Sequence, residues 1–174
     1  MIKRTKEKVI FKTKLFIIKD VTLETSDGRI VTYQIVEKSD TVLIVPTQGD
    51  KIVFVNEYFP AIDAYQLTLP KGSIELGHDE LHTVNKELQE EIGYKAAKIT
   101  KLGALTMSPG YLSQKTHIFL AQELTESKSQ GDELEPLEII EYPFDSFEDL
   151  IEDGKLAEAR SIAALYLAKK RLSK

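Results

Sequence analysis

Residues 72–94 form the stretch that most constrains the fold, because they predict a glycine-bearing loop followed by a single helix. Gly72 permits backbone turns that a residue with a Cβ resists. Asp79 or His78 can cap the start of this helix, and an acidic residue there suits the positive end of the helix dipole. Gly93 is typical of the left-handed residue that ends a helix. We therefore expect one helix between Asp79 and Gly93, entered from a tight loop.

Two faces are predicted on this helix. Four apolar residues share one face at helical spacing: Leu81, Val84, Leu88 and Ile92. Glu87, Glu90 and Glu91 stand at i, i+3 and i+4 and share a second face that flanks the apolar one. A glutamate-rich face of this kind is most often a solvated surface. Crowded carboxylates repel one another, however, and hard oxygen ligands at this spacing also suit Mg²⁺ or Mn²⁺.

The spacing of these residues resembles a known motif. Gly72 is followed by an ordered series of residues: Glu87, Leu88, Glu90, Glu91 and Gly93. The series resembles the Nudix box, G-x5-E-x7-R-E-U-x-E-E-x-G-U, in which U is aliphatic. The chain departs from the box where His78 replaces the first Glu, Lys86 replaces the Arg and Tyr94 replaces the last aliphatic residue. The usual Glu–Arg pair braces the loop, so we expect these changes to affect loop rigidity and leave the helix carboxylates in place.

Composition limits the class of protein. The chain has 174 residues, 42% of them hydrophobic, which suits one domain with a sizeable core. Its net charge of −5 argues against a nucleic-acid surface held by bulk charge, so an anionic substrate would need metal or a few basic side chains. There is no cysteine, and no apolar run is long enough for a signal peptide or a membrane span. We therefore expect a cytoplasmic protein that is not bound to a membrane.

The rest of the chain predicts a mixed α/β or α+β layer fold. Strands are predicted at 9–37, with a hairpin turn at 26–29, and at 41–45, 52–58, 65–69, 99–107, 116–122 and 137–143. Residues 123–135 are polar, acidic and glycine-containing, which indicates a loop. Helices are predicted at 144–153 and 156–172. No repeat or linker interrupts the sequence, so we expect a single domain over residues 1–174.

The flanks of the box resemble one branch of the Nudix superfamily, the ADP compounds hydrolases and ADP-ribose pyrophosphatases. The similar segments are Glu57-Tyr58, Tyr65-Gln66-Leu67, Lys71-Gly72, 107–113 around Pro109, the acidic 131–136, and the 158–165 part of the last helix. The resemblance implies the Nudix α/β/α sandwich, a mixed sheet with a central loop-helix-loop, preceded by an N-terminal β-hairpin. It also implies a homodimer formed through the strands of residues 1–40.

The resemblance further implies the residues that perform the chemistry. Glu87 and Glu91 would bind divalent metal, Mg²⁺ or Mn²⁺, with Glu90 joining or bridging them. The main-chain carbonyl of Lys71 would be a further ligand. Bound divalent ions neutralise a pyrophosphate and lower the pKa of the attacking water. A late glutamate, Glu133 or Glu135, would take the proton from that water or complete the metal shell. A solvated acidic loop is the alternative for these last two residues.

Substrate contacts are expected from a second group of residues. Tyr58, Tyr65 and Tyr111 could stack against adenine, although each could instead be a packing residue. Pro109 resembles a proline that marks ADP-ribose-type members, and a simple turn proline is the alternative. The Arg that often follows the Glu-Tyr pair in those enzymes is Phe59 here, which leaves Lys71 or Arg160 to hold phosphate.

We therefore expect a Nudix pyrophosphohydrolase that cleaves ADP-linked compounds into AMP and a phosphorylated product. ADP-ribose, diadenosine polyphosphates and NADH are the candidate substrates. Two other functions remain open: a Nudix-fold sensor that binds such a nucleotide without turnover, motivated by His78 and Lys86, and a pyrophosphohydrolase of another nucleotide or of an RNA 5′ end. The three intact helix carboxylates argue against the sensor, and the acidic balance argues against RNA.

Overall fold

The computed structural model describes residues 1–131 and 135–173. The chain divides into two compact units. One unit comprises Met1–Asp40 and Thr106–Lys115, and the other comprises Thr41–Leu105 and Thr116–Lys174. The predicted central helix and the loop before it both belong to the second unit.

The first unit contains a three-stranded antiparallel sheet. Its strands are β1 (Lys3–Lys12), β2 (Ile17–Glu24) and β3 (Ile30–Glu37), in the order β1-β2-β3. The predicted hairpin is formed by β2 and β3, and Gly28 in its turn has φ 81°. The prediction that strands begin at residue 9 was wrong, because β1 begins at Lys3. Every residue of β1 is exposed, and lysine-rich edge strands of this kind resist unwanted pairing.

The second unit is built on a mixed sheet. Its strands are β4 (Thr41–Gln48), β5 (Lys51–Phe59), β6 (Ala64–Thr68), β7 (Lys71–Ser73), β8 (Tyr94–Thr106), β9 (Lys115–Glu126) and β10 (Glu138–Pro143). They are ordered β10-β5-β4-β9-β8, with β6 paired to β5 and β7 paired to β4. β4 and β9 run parallel, whereas β4 pairs with β5 and β7 antiparallel.

Helices cover both faces of this sheet. They are α1 (Glu80–Glu87), which continues as a π turn over Leu88–Ile92, α2 (Phe147–Glu152), which follows a 3₁₀ turn at Phe144–Ser146, and α3 (Ala159–Leu172). The central strands alternate between two cores. Leu43 and Phe54 face the core of α2 and α3, whereas Ile44 and Val55 face the core of α1. Successive residues of a strand point to opposite faces, so a strand buried on both sides is apolar throughout. The α/β/α sandwich expected from the sequence is confirmed.

Two predicted boundaries around the central helix were wrong. Strand β8 begins at Tyr94 and not at residue 99, because Gly93 turns the chain from the helix directly into the strand. Strand β9 runs to Glu126, so the predicted loop from residue 123 begins too early. Leu124 packs against the core of α1, and the Ser127 N–H donates to the carbonyl of Gly93 at 2.8 Å. These tertiary contacts extend a segment whose polar composition favours a loop.

Among the residues that the structure describes, no helix is long and apolar enough to cross a membrane.

Candidate active site

The close approach of Gly72 to Glu87 is the central feature of the site. Strand β7 pairs with β4 through the Val42–Gly72 register, and α1 ends at Glu87. A Cβ built on Gly72 would overlap the carboxyl group of Glu87, a residue that is only 8% exposed. The carboxyl group therefore lies directly against the Gly72 backbone, where only glycine leaves room for it.

Glu91 lies beside this contact. The backbone N–H of Lys71 donates to its carboxyl oxygens, with 3.3 Å to Oε2 and 3.5 Å to Oε1. Burial raises the pKa of Glu91 well above its usual range; the charge of Lys71 opposes this shift, while the charges of Glu87 and Glu57 add to it. An ionised Glu91 is therefore costly in the protein alone. A bound cation would remove that cost.

The Lys71 side chain is already engaged. Its Nζ forms an ion pair with Glu57 and lies 5.0 Å from the centroid of the Phe59 ring. The side chain is 13% exposed. A role in holding phosphate would require Lys71 to exchange or share Glu57. Arg160, the other basic side chain considered for that role, pairs with Glu158 at 2.7 Å.

The carboxylate-bearing helix is not regular. Capping is as predicted: the Asp79 side chain accepts from the His82 N–H at 2.7 Å, and Gly93 is left-handed at φ 76°. From Leu88 onward, however, the helix forms a π turn, in which the Gly93 N–H bonds to the Leu88 carbonyl. The regular helix expected through Glu91 was therefore wrong. A π turn widens the helix and is frequent at functional sites.

Glu90 lies beside Lys86. The Glu90 carboxyl lies 3.7 Å from Nζ of Lys86 and is 13% exposed. Glu87 and Glu91 line a cleft of about 820 Å³, but Glu90 is not among the residues that line it. Leu81 is a further departure, since it is 53% exposed at the start of the helix and does not join the apolar face.

The two changed positions of the box share one partner. Lys86 Nζ lies 3.1 Å from Oε1 of Glu75, and His78 Nδ1 lies 3.7 Å from Oε2 of the same carboxyl group. The hydrogen bond from Lys86 lowers the pKa of Glu75, and its positive charge adds to this effect. The loop before α1 is therefore tied to the helix through Glu75.

A cleft of about 820 Å³ opens beside these groups. Its lining comprises Asn56, Glu57, Tyr58, Pro60, Tyr65, Lys71, Gly72, Ser73, Glu75, Lys86, Glu87, Glu91, Glu135, Pro136, Leu137 and Glu138. Six of these residues are glutamates and two are lysines, and both lysines are paired with glutamates. This volume is in the range of small-molecule sites, which span roughly 300–1,000 Å³. An anionic ligand would meet a lining that is mostly negative.

The donor set fits a hard divalent cation. Among residues 1–131 and 135–173, no three histidine or acidic side chains are grouped closely enough to hold an ion by themselves. The fit depends instead on Glu87 and Glu91, whose carboxyl groups both lie against the Lys71–Gly72 backbone. Carboxylate and carbonyl oxygens are the ligands that Mg²⁺ and Mn²⁺ prefer.

The predicted base and aromatic residues are partly in place. Glu135 lines the cleft, whereas Glu133 lies outside the described residues. Tyr58 and Tyr65 also line it, and their rings meet edge to face at 5.4 Å between centroids. The Tyr58 hydroxyl donates to Asp63 at 2.6 Å, and the two rings remain 41% and 62% exposed. They are therefore accessible surfaces on the cleft wall, not core residues.

Pro109 and Tyr111 lie in the first unit. The Tyr111 N–H donates to the Ser108 carbonyl at 3.0 Å, and the Tyr111 carbonyl accepts from the Val36 N–H at 2.6 Å. The segment is therefore a turn fastened to the end of β3. The Tyr111 side chain is 56% exposed. Substrate contact by these two residues stays a prediction.

Sequence reasoning missed several side chains of the site. Glu57 was used only as part of a resemblance, although its position in a strand two residues from Phe59 places both side chains on one face. Glu75 is an acidic residue in the loop before α1, and Lys86 stands where the box has its Arg. These two residues could have indicated the ion pair that they form.

The fold and the site together define a Nudix protein. A model of the NUDIX domain family matches residues 37–165. The chain belongs to the Nudix family, and it is a Nudix pyrophosphohydrolase.

Known proteins are similar along nearly the whole chain. The ADP compounds hydrolase NudE of Escherichia coli (strain K12) is 35% identical over 165 residues, which cover 94% of this chain and 89% of that protein. The ADP-ribose pyrophosphatase of Bacillus subtilis (strain 168) is 32% identical over 171 residues, which cover 94% and 92%. A crystal structure of an ADP compounds hydrolase matches with a TM-score of 0.90 and 33% identity over 99% of this chain and 94% of that one.

Proposed function

We propose that this protein hydrolyses the pyrophosphate bond of ADP-linked compounds in a reaction that requires divalent metal. The products are AMP and a phosphorylated second half. The observation that carries the proposal is the placement of two carboxyl groups, those of Glu87 and Glu91, against the Lys71–Gly72 backbone. The similarity to an ADP compounds hydrolase and an ADP-ribose pyrophosphatase supports the choice of ADP-linked substrates.

Glu87, Glu91 and the Lys71 carbonyl are the proposed ligands for Mg²⁺ or Mn²⁺, with Glu90 joining or bridging them. When bound, the cation would neutralise pyrophosphate charge and acidify the attacking water. The protein's own contribution is positional. Gly72 holds the Glu87 carboxyl against the backbone, and the Lys71 N–H holds Glu91. Glu91 is also a proposed catalytic residue, because it would hold the cation that acidifies the attacking water.

Glu135 or Glu133 is the proposed base that accepts a proton from the attacking water. The position of Glu135 on the cleft lining supports this role for the 131–136 segment. Glu135→Ala and Glu133→Ala, measured separately, should slow turnover unequally, with the larger loss at the base. General bases contribute roughly 10²–10⁴-fold to rate. The role of this segment would be ruled out if both variants turned over at the parent rate.

ADP-ribose, diadenosine polyphosphates and NADH are the proposed substrates. The exposed rings of Tyr58 and Tyr65 on the cleft wall support binding of a planar base, since aromatic rings stack on one another. Lys71 is proposed to contact phosphate while remaining near Glu57. Pro109 and Tyr111 are proposed substrate contacts on the strength of the resemblance alone.

We also propose that the chain acts as a single Nudix domain and as a cytoplasmic homodimer that forms through the strands of residues 1–40. The exposed apolar side chains of this sheet support the dimer. They include Val9, Phe11, Ile30 and Tyr33, each more than half exposed. Light scattering of the purified chain would measure the oligomeric state. A monomer at micromolar concentration would contradict the dimer.

Product analysis tests the proposed function directly. The purified protein would be given ADP-ribose, diadenosine triphosphate or NADH, each with Mg²⁺ and each with chelator. We expect AMP to be released only with metal, and the rates would rank the substrates. If nucleotide bound without any release of AMP, the protein would be a sensor, and His78 and Lys86 would be the residues to revert.

A further inference from the structure

Ser161 is buried at the start of α3, far in sequence from the Nudix box. It is 0% exposed, and its hydroxyl has three partners. Its Oγ donates to Glu158 Oε2 at 2.8 Å, accepts from the Leu69 N–H at 3.2 Å, and lies 3.1 Å from Oγ1 of Thr68. A hydroxyl has one proton to donate and two lone pairs. Ser161 gives its proton to Glu158, so a hydrogen bond with Thr68 requires the Thr68 hydroxyl to donate. That hydroxyl also lies 3.4 Å from the Leu69 carbonyl, which is its other acceptor.

Glu158 orients this hydroxyl. Its Oε2 also accepts from the Ser161 N–H at 2.7 Å, as an N-cap of α3, and its Oε1 accepts from Arg160 Nε at 2.7 Å. Burial raises the pKa of Glu158, but the hydrogen bonds from Arg160 and Ser161 outweigh it and lower the pKa. The Glu158 carboxylate is therefore ionised and held in place. Because the Ser161 hydroxyl donates to this fixed acceptor, it has a single orientation.

The segment that Ser161 holds leads into the active site. Strand β6 ends at Thr68 and β7 begins at Lys71. Leu69 is tied to Ser161 through its N–H, and the next carbonyl, that of Pro70, accepts from the Ile44 N–H at 2.9 Å. The following N–H, that of Lys71, donates to Glu91. Three consecutive residues are thus held by three different elements: α3, β4 and the π turn after α1.

We propose that Ser161 is a positioning residue for the reaction. Through Leu69 it fixes the Lys71–Gly72 backbone against the carboxylates of Glu87 and Glu91, so that a helix on one face of the sheet sets the geometry of the ligands on the other face. This inference rests on the proposed function for its catalytic consequence. A displacement of about 1 Å in a catalytic group can cost roughly 10²-fold in rate, so the segment tolerates little slack.

The test compares Ser161→Ala with Ala164→Gly. Ala164 is a fully buried residue of the same helix and belongs to the apolar core, and its replacement by glycine also destabilises a helix. Ser161→Thr retains the hydroxyl and is the rescue variant. Thr68→Val removes the hydroxyl that contacts Ser161 and leaves the hydrogen bond from the Leu69 N–H to Ser161, so it should have the smaller effect. It also serves if Ser161→Ala fails to fold.

Three measurements are made on each full-length variant: the melting temperature, the Mn²⁺ affinity of the enzyme without substrate by electron paramagnetic resonance, and amide hydrogen exchange at Leu69 and Lys71 by NMR. We expect Ser161→Ala to weaken Mn²⁺ binding by roughly tenfold and to speed exchange at both amides. Ala164→Gly should lower the melting temperature but leave the Mn²⁺ affinity and the exchange rates unchanged. Ser161→Thr should restore the parent Mn²⁺ affinity and exchange rates.

The outcomes separate this inference from the proposed function. Parent-like Mn²⁺ affinity and exchange in Ser161→Ala would overturn the inference, as would equal changes in Ala164→Gly. If the parent protein neither binds Mn²⁺ nor releases AMP, the proposed function fails. The exchange rates at Leu69 and Lys71 still decide, in that case, whether Ser161 positions the segment.

Discussion

Gly72→Ala is the sharpest test of the site, because the structure defines what the new methyl group would meet. The Cβ would overlap the Glu87 carboxyl group. The backbone of Gly72 is not in the left-handed region, so an alanine there meets no conformational strain of its own. The whole effect of the substitution is therefore the displacement of one carboxylate.

The size of the effect follows from that displacement. Forcing extra volume into a packed site lowers the free energy of unfolding by about 1–3 kcal/mol. We expect a loss in the lower half of that range, because the carboxyl group at the end of the Glu87 side chain can move partly aside. Catalysis suffers more than folding. Glu87 would leave its place against the backbone, and misplacing such a group by about 1 Å costs roughly 10²-fold in rate. We expect kcat/KM to fall by about 10²-fold or more.

Gly103→Ala is the matched control. Gly103 lies in β8 and is not left-handed, and a Cβ added there would have no atom within 4 Å. The control should be neutral or slightly stabilising, because alanine restricts the unfolded chain. Thermal unfolding and AMP release with Mg²⁺ would be measured for both variants. A Gly72→Ala enzyme with parent activity and parent melting temperature would refute the contact between Gly72 and Glu87.

Four further substitutions test three other groups. Glu91→Gln should abolish turnover. Its melting temperature in chelator should nevertheless equal or exceed the parent value, because the raised pKa of Glu91 means that the ionised form opposes folding. A melting temperature below the parent value would contradict this reasoning. Glu75→Lys and Lys86→Glu should each slow turnover, and the double variant should partly restore it. The coupling energy should stay below about 1 kcal/mol, because the pair is exposed. Additive losses in the double variant would show that this ion pair does not hold the loop against the helix. Glu158→Gln should cost about 1 kcal/mol at neutral pH. The pKa of Glu158 is lower in the folded protein than in the unfolded chain. The ionised carboxylate therefore stabilises the fold at any pH above its unfolded pKa, and this stabilisation is lost as the pH falls through the folded pKa. The melting temperatures of parent and variant should therefore converge in acid.

The sequence predicted the parts of the fold whose signals are local. Asp79 and Gly93 bound the central helix as expected, because capping depends on residues one turn apart. The core strands were found from their apolar runs. The importance of Gly72 was read from its spacing to Glu87, and the structure supplies the physical reason for that spacing: the carboxyl group fills the place of a side chain.

The parts that could not be predicted depend on contacts distant in sequence. The last residues of β9 are held by Leu124 in the core and by the carbonyl of Gly93, which no local pattern reveals. The π turn inserts no recognisable residue, since the same glutamates fit a regular helix. The partners of Ser161 are brought to it only when α3 packs on the sheet.

The charge of the cleft leads to a last prediction, on metal removal. Six glutamates and two paired lysines line the cleft in which we propose that an anionic substrate binds. Without a cation, Coulomb repulsion opposes the pyrophosphate, and no unpaired basic side chain on the described lining offsets it. We therefore expect chelator to abolish binding of ADP-ribose as well as its hydrolysis. Calorimetry with the slower of the two variants Glu135→Ala and Glu133→Ala would measure this with Ca²⁺, with Mg²⁺ and with chelator. Undiminished affinity in chelator would mean that side chains hold the phosphates and that the cation serves only the chemical step.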